Sequence, residues 1–254
     1  MKLRLFIDAP LHVDTELQLP AAAARHVQVR RLQPGDAVRL FNGQGGEWPA
    51  TVLHIGRSDV TVRVGGHEAV DRELHVQVTL AVGMPANERM DTLVEKATEL
   101  GVHAIQPLLC ERSVLRLAGD RAQRKREHWQ AIAAAASEQC GRNRVPAVAP
   151  VLVLEQWLGR LEGHSRARLL LSPRDDAAAL PTLAAAHRSL VILSGPEGGL
   201  SAGEESLAQR QGFVVARLGP RVLRAETAPL AALAWVGLEA LLQANGSQAR
   251  PATA

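Results

Sequence analysis

Two stretches of this chain combine glycine, proline, acid and arginine densely enough to do chemistry. In LSGPEGGLSAGEE, from Leu193 to Glu205, an apolar run leads directly into Gly195, Pro196, Glu197, Gly198 and Gly199, so that main chain can approach a ligand closely. In LGPRVLRAETA, from Leu218 to Ala228, a Gly-Pro pair is followed by Arg221, Arg224, Glu226 and Thr227. Neither stretch matches G-x-G-x-x-G or G-x-x-x-x-G-K-[ST], so the dinucleotide fingerprint and the lysine-bearing phosphate loop are both excluded. What remains is a nucleoside-like ligand held by backbone, or a plain strand-to-helix connection with no ligand.

The flanking elements favour the ligand. Val191, Ile192 and Leu193 form a continuous apolar run, as in a strand covered on both faces, and Ser201 with Glu204 makes a capping box that starts a helix. Phe213 to Leu218 reads as a second strand, and Arg168 to Leu171 as a third that ends in Ser172, Pro173 and Arg174. In open α/β sheets the ligand crevice lies outside the carboxyl ends of the strands, so these loops can wall one pocket.

Further out, the pattern divides near residue 72. Residues 1–71 hold short strands at Leu3 to Ile7, Ala37 to Phe41, Trp48 to Ile55 and Val60 to Val64, with one helical stretch from Ala21 to Val29, and predict a small β-barrel. Residues 72–244 alternate strands and helices, which predicts an α/β domain. There Leu74 to Leu80 alternates like a strand, and Met90, Leu93, Val94, Ala97 and Leu100 recur at helical spacing before Gly101. A strand from Val102 to Leu109 follows, then a helix from Arg121 to Cys140 whose stripe of Trp129, Ile132, Ala133 and Ala136 reads as core. The last helix begins near Thr227, with Pro229 in its first turn. The small, polar stretch 245–254 predicts a disordered tail.

Composition narrows the classes of function. No apolar run approaches the roughly 18 residues of a membrane helix, and MKLRLFIDAP lacks the apolar core of a signal peptide, so a cytoplasmic protein without a membrane partner is expected. Cys110 and Cys140 stand apart from each other and from any histidine cluster, which predicts buried free thiols and no metal site. With no Tyr and 3% aromatics, a base-stacking platform is disfavoured. The formal charge is only +3, but residues 112–144 carry eight basic side chains against three acidic ones. Arg25, Arg30, Arg31 and Arg39 lie near the single acid Asp36. Such clusters fit a phosphate backbone, although a run such as 121–126 also reads as a solvated helix face. His26, beside these arginines, more often packs or caps than acts as an acid or base.

Three segments in order, SEQCGRNRVP (Ser137 to Pro146), LSGPEGGLSAGEE and LGPRVLRAETA, resemble the RsmE family of 16S ribosomal RNA uridine N3-methyltransferases. RMDTLVEKATELG (Arg89 to Gly101) and RHVQVRRLQPGD (Arg25 to Asp36) resemble it too, so the likeness covers nearly everything but the tail. The resemblance implies an α/β protein with an N-terminal PUA-like β-barrel and a C-terminal SPOUT α/β domain tied in a trefoil knot. It also implies a homodimer that uses S-adenosylmethionine to methylate N3 of one uridine in 16S ribosomal RNA of the small subunit. Carried onto this chain, the cofactor residues are Leu171, Ser172, Pro173, Gly195, Pro196, Gly198, Gly199, Leu218, Gly219, Pro220, Leu223 and Thr227. Arg224 is the candidate cation for the uracil ring, and Glu226 or Glu197 the candidate base; Arg224 and Glu226 could instead pair with each other, and Glu197 could only fix its turn. The RNA grip is expected from Arg25, Arg30, Arg31, Arg112, Arg142 and Arg144, some of which could instead serve the dimer interface, where Arg is also enriched. Ala225, Ala228 and Pro229 depart from the threonines expected there.

Overall fold

A computed structural model describes residues 2–86, 88–161, 166–184 and 187–248. The chain forms two compact units, one of Met1–Glu73 with Ala134–Val145, the other of Leu74–Ala133 with Pro146–Ala254. A single cut near residue 72 does not anticipate the return of 134–145 to the first unit. The tail expected from residue 245 is helical as far as Gln248, and 249–254 lie outside the described residues.

In the first unit, strands β1 (Arg4–Phe6), β2 (Glu16–Gln18), β3 (Ala37–Phe41), β4 (Trp48–Ile55) and β5 (Val60–Val64) pair in the order β1-β3-β4-β5-β2. Only β1 and β3 are parallel. Alternation along β5 buries Val60, Val62 and Val64 and turns Arg63 outward, the period-2 signature of a sheet covered on one face. Helix α1 (Ala21–Val29) adds Ala23, Ala24 and Val27 to the same core, which leaves Arg25 and His26 exposed. β2 carries the pattern Glu-Leu-Gln and is too short and polar to be recognised from sequence.

The second unit is built on one sheet. Its elements are β6 (Gln77–Gly83), α2 (Glu88–Glu99), β7 (Ala104–Leu109), the start of α3 (Gly119–Cys140), β8 (Ala147–Val148), β9 (Leu152–Val153), α4 (Leu154–Gly159), β10 (Ala167–Leu171), β11 (Ala178–Ala179), α5 (Leu180–Ala184), β12 (Ser189–Ser194), α6 (Ala202–Arg210), β13 (Val214–Arg217) and α7 (Thr227–Gln248). The order is β11-β13-β10-β12-β6-β7-β8, with β9 also on β7, and every pairing is parallel. β12 is buried at five of its six positions because helices cover both faces of a parallel sheet. β6 begins three residues later than the alternation suggests: the Leu74 side chain packs against Gly101 and Gly237 instead of joining the ladder. In α3, Trp129, Ala133 and Ala136 are buried as expected, while Ile132 is half-exposed.

Candidate active site

Strands β13, β10 and β12 are neighbours, and Leu171 is in register with both Ser194 and Ala216, so three strands end side by side. The loops that follow them enclose a cavity of about 560 Å³, a size suited to one small organic ligand. Leu171, Ser172 and Pro173 form one wall, residues 194–200 a second, and Leu218, Gly219 and residues 221–225 a third. Of the proposed cofactor positions, Pro220 and Thr227 do not line it; Pro220 lies within the third loop and Thr227 opens α7. Arg89, Glu205, Ala216 and Ala228 line it as well. Arg89 carried no local signal, because only the tertiary fold brings the first turn of α2 to this loop.

The glycine loop is fixed from several sides. A Cβ on Gly195 would stand 2.8 Å from Leu200 N and 2.9 Å from Gly199 C, so main chain closes on main chain there. Below it, a Cβ on Gly83 would come within 2.6 Å of Pro196 N, which explains the bare end of β6. Gly199, at φ +68°, closes a turn by donating to Pro196 O at 2.8 Å. Ser201 and Glu204 form the capping box, and Glu204 also accepts from Glu111 N at 2.8 Å. The backbone around the cavity is thereby held in place before any ligand arrives.

Several candidates already have structural work. The Glu197 carboxylate accepts from Ala86 N at 2.9 Å and from Arg89 Nη1 at 3.2 Å, fixing its turn. Arg112 donates to the carbonyls of Gly198 at 3.1 Å and Leu200 at 3.3 Å, so its charge braces the glycine loop rather than standing ready for RNA. By contrast, Arg221 and Arg224 are exposed and form no ion pair among the described residues, and Arg224 and Glu226 do not pair with each other. Glu226 does not line the cavity, and its Oε2 is buried without a hydrogen-bond partner. Cys110 lies beside Gly83 and Pro196; burial first, then the nearby Glu204 charge, pushes its thiol up to about 12. It stays protonated at neutral pH and offers no thiolate nucleophile. Cys140, expected buried, is half-exposed, and both cysteines are free. No group of three or more metal-type ligands occurs among the described residues.

In the first unit the RNA candidates separate sharply. Arg25, Arg30 and Arg31 are exposed on and just beyond α1, and Arg144 is exposed where it bridges to Gln44. Arg142, expected on an open loop, is only 4% exposed and grips Glu73 through Nε and Nη2. It corrects the RNA assignment: a buried guanidinium committed to the half-buried Glu73 carboxylate is not available to phosphate. Arg4 likewise pairs with Glu47 and donates to Arg142 O at 3.0 Å and Asn143 Oδ1 at 2.6 Å, while Asn143 Nδ2 donates to Val70 O at 3.0 Å. This network is what recruits 134–145 into the unit.

Residues 72–237 match the RNA methyltransferase domain family, and residues 19–65 match the RNA methyltransferase PUA domain. Ribosomal RNA small subunit methyltransferase E of Bacillus subtilis is 34% identical over 219 residues, covering 84% of this chain and 86% of that protein. The chain belongs to the ribosomal RNA small subunit methyltransferase E family. Among solved structures, the methyltransferase E of Neisseria gonorrhoeae bound to S-adenosyl methionine superposes with a TM-score of 0.87 at 34% identity, covering 92% of this chain and 96% of that one. A Legionella pneumophila methyltransferase complexed with its cofactor SAM gives 0.88 at 32%, covering 93% and 97%.

Proposed function

We propose that this chain transfers a methyl group from S-adenosylmethionine to N3 of a single uridine, of the U1498 type, in 16S ribosomal RNA of the small subunit. The observation that carries the reading is the cavity: three adjacent parallel strands end in loops that leave bare main chain facing a ligand-sized space. The residues present fit the cofactor. Leu171, Leu218, Val222 and Leu223 give apolar walls for a flat base, and Gly195, Gly198 and Gly199 offer backbone donors and acceptors with no side chains of their own.

Bound there, S-adenosylmethionine supplies an electrophilic methyl carbon on a sulfonium. The protein has to hold uracil N3 in line with it and to remove the N3 proton. Arg224, on the cavity wall with no ion-pair partner among the described residues, is suited to stabilise the anionic ring through the uracil carbonyl oxygens. Of the two candidate bases, Glu197 lines the cavity but is held by two donors, whereas Glu226 has an Oε2 with no hydrogen-bond partner among the described residues but does not line the cavity, so it serves as base only by turning its carboxylate inward.

The same reading includes a PUA-like grip on RNA through Arg25, Arg30, Arg31 and Arg144, and the trefoil knot of the SPOUT class. In support of a threaded chain, β13 enters the sheet between β10 and β11, both laid down before it. A homodimer is supported by Leu238, Leu241 and Leu242, which α7 exposes at 64%, 55% and 68%. No helix among the described residues is long and apolar enough to cross a membrane, and a cytoplasmic site of action goes with a ribosomal substrate.

The test is methyl transfer from labelled S-adenosylmethionine to small subunits lacking the modification, followed by nucleoside analysis. Labelled 3-methyluridine is expected; labelled ribose would move the chain to the 2′-hydroxyl class, and no transfer would overturn the reading.

A further inference from the structure

Arginines line the cavity at positions 89, 221 and 224, and Arg174 reaches the lining residue Glu205; their partners differ. Arg89 is paired with Glu197 at 3.2 Å. Arg174 is paired with Asp176 at 2.5 Å and stands 3.7 Å from Glu205. Arg224 and Arg221 have no carboxylate within ion-pair distance among the described residues, yet both line the cavity and both are exposed. Arg221 follows Gly219, at φ +134°, and Pro220, whose ring fixes its own φ, and precedes Val222, which is 82% exposed. The loop thus presents at the cavity mouth a cation that makes no ion pair among the described residues.

A uridine reacting at N3 places demands on two anionic sites. The ring becomes negative as its proton leaves, and the nucleotide's own phosphodiester is negative throughout. A base reached by an enzyme has to be taken out of its stack, which is unfavourable and needs the backbone on either side to be held. One cation cannot serve both ring and phosphate. Arg224 is the one suited to the ring, and a guanidinium matches phosphate oxygens in a bidentate fork.

We infer that Arg221 binds a phosphate flanking the target uridine at the mouth of the cavity and so positions the flipped nucleotide. The inference rests on the methyltransferase reading above. The cofactor's carboxylate is the other anion that could reach this side chain, and it defines the competing outcome. None of the RNA contacts named from sequence lies on this loop, so Arg221 makes the cavity itself part of the RNA-binding surface.

The experiment compares wild type, Arg221→Ala and Arg221→Lys in steady-state methyl transfer to unmodified small subunits, across a salt series. Calorimetry of S-adenosylmethionine and of methylthioadenosine, which lacks the amino-acid carboxylate, accompanies it. Arg221→Ala is expected to raise KM for the subunit about tenfold with kcat within a few-fold of wild type and both cofactor affinities unchanged. It should also lower the slope of log K against log salt by about 0.7 to 0.9, as for the loss of one phosphate contact. Arg221→Lys should recover part of the KM, since its charge remains. Weaker S-adenosylmethionine binding with unchanged methylthioadenosine binding would assign Arg221 to the cofactor carboxylate and overturn the inference, as would an unchanged KM and salt slope. Loss of methylthioadenosine binding as well would mean a collapsed loop and equally overturn it. An inactive wild type would instead overturn the methyltransferase reading, a result distinct from all of these.

Discussion

Arg4, Glu47, Arg142 and Glu73 in the first unit, and Arg221, Arg224 and Glu226 in the second, are charges of the same kinds put to opposite uses. In the first set each charge is buried or half-buried against an opposite one, and every charge has its counter-charge, although Arg4 Nε is left without a hydrogen-bond partner among the described residues. In the second, among the described residues, two cations stand without carboxylates and a carboxylate oxygen is buried without a donor. A paired buried charge fixes architecture, whereas an unpaired one at a cavity marks an interaction still to be made. Residue type and motif do not separate the two cases; partners do.

The sharpest way to break this comparison is to remove a partner from the closed set. Glu47→Ala strands the Arg4 guanidinium, 8% exposed and stacked 4.9 Å over Phe41, without its carboxylate. Breaking a buried pair from one side costs about 3–5 kcal/mol, measurable by denaturant unfolding of the whole protein. The pH dependence follows from the same contact. Burial opposes ionisation of Glu47, but hydrogen bonds and charges from Arg4 and Arg72 outweigh it and hold the carboxyl below its ordinary 4.5. The unfolded chain therefore takes up this proton first as pH falls. The pair's stabilisation is present above the unfolded value and is lost as pH drops through the folded one, so acid unfolding of Glu47→Ala should be shallower than that of wild type. An equal loss of stability from Arg224→Ala would erase the distinction between the two sets.

Next in size is the cavity itself. Gly195→Ala forces a Cβ against the backbone of Gly199 and Leu200, and backbone cannot step aside as a flexible side chain can. Cofactor affinity is expected to fall about tenfold or more, equivalent to ~1.4 kcal/mol, with the first unit's unfolding unchanged. Full affinity in calorimetry would show that the cofactor does not read this loop. Ser201→Ala should cost about 1 kcal/mol, because it removes the acceptor for Glu204 N at the start of α6 while Glu204 keeps its bond to Glu111 N.

Much of the second unit was legible because its signals are local. Apolar runs mark β10 and β12, the Ser201 and Glu204 spacing marks the start of α6, and strand-end glycines mark two of the cavity walls. What sequence could not supply was pairing across distance. The Glu73 to Arg142 contact spans 69 residues and the Arg4 to Asn143 contact 139, so a motif that reads as two arginines on a loop proved to hold one buried staple and one exposed side chain. Arg89 escaped for the same reason: its helix reads as an amphipathic stripe, and its bond to Glu197 spans 108 residues. The short pieces β8, β9 and β11, two residues each, are set by the strands beside them rather than by their own propensity.

That divided motif gives the finest test of the comparison. Arg142 and Arg144 are two residues apart, carry the same charge and differ in burial and partner. Arg144→Ala should leave thermal stability within about 0.5 kcal/mol, as for an exposed surface change, and weaken RNA binding only a few-fold while lowering the salt slope by close to one phosphate's share. Arg142→Ala should do the reverse: lower stability by breaking the Glu73 pair and, in the fraction that remains folded, keep the wild-type salt slope. Binding assayed at low temperature, where both variants are folded, separates charge from stability. If the two substitutions alter the salt slope equally, then burial in the first unit does not withhold a charge from RNA, and the distinction between spent and open charges fails at the place where sequence alone could not draw it.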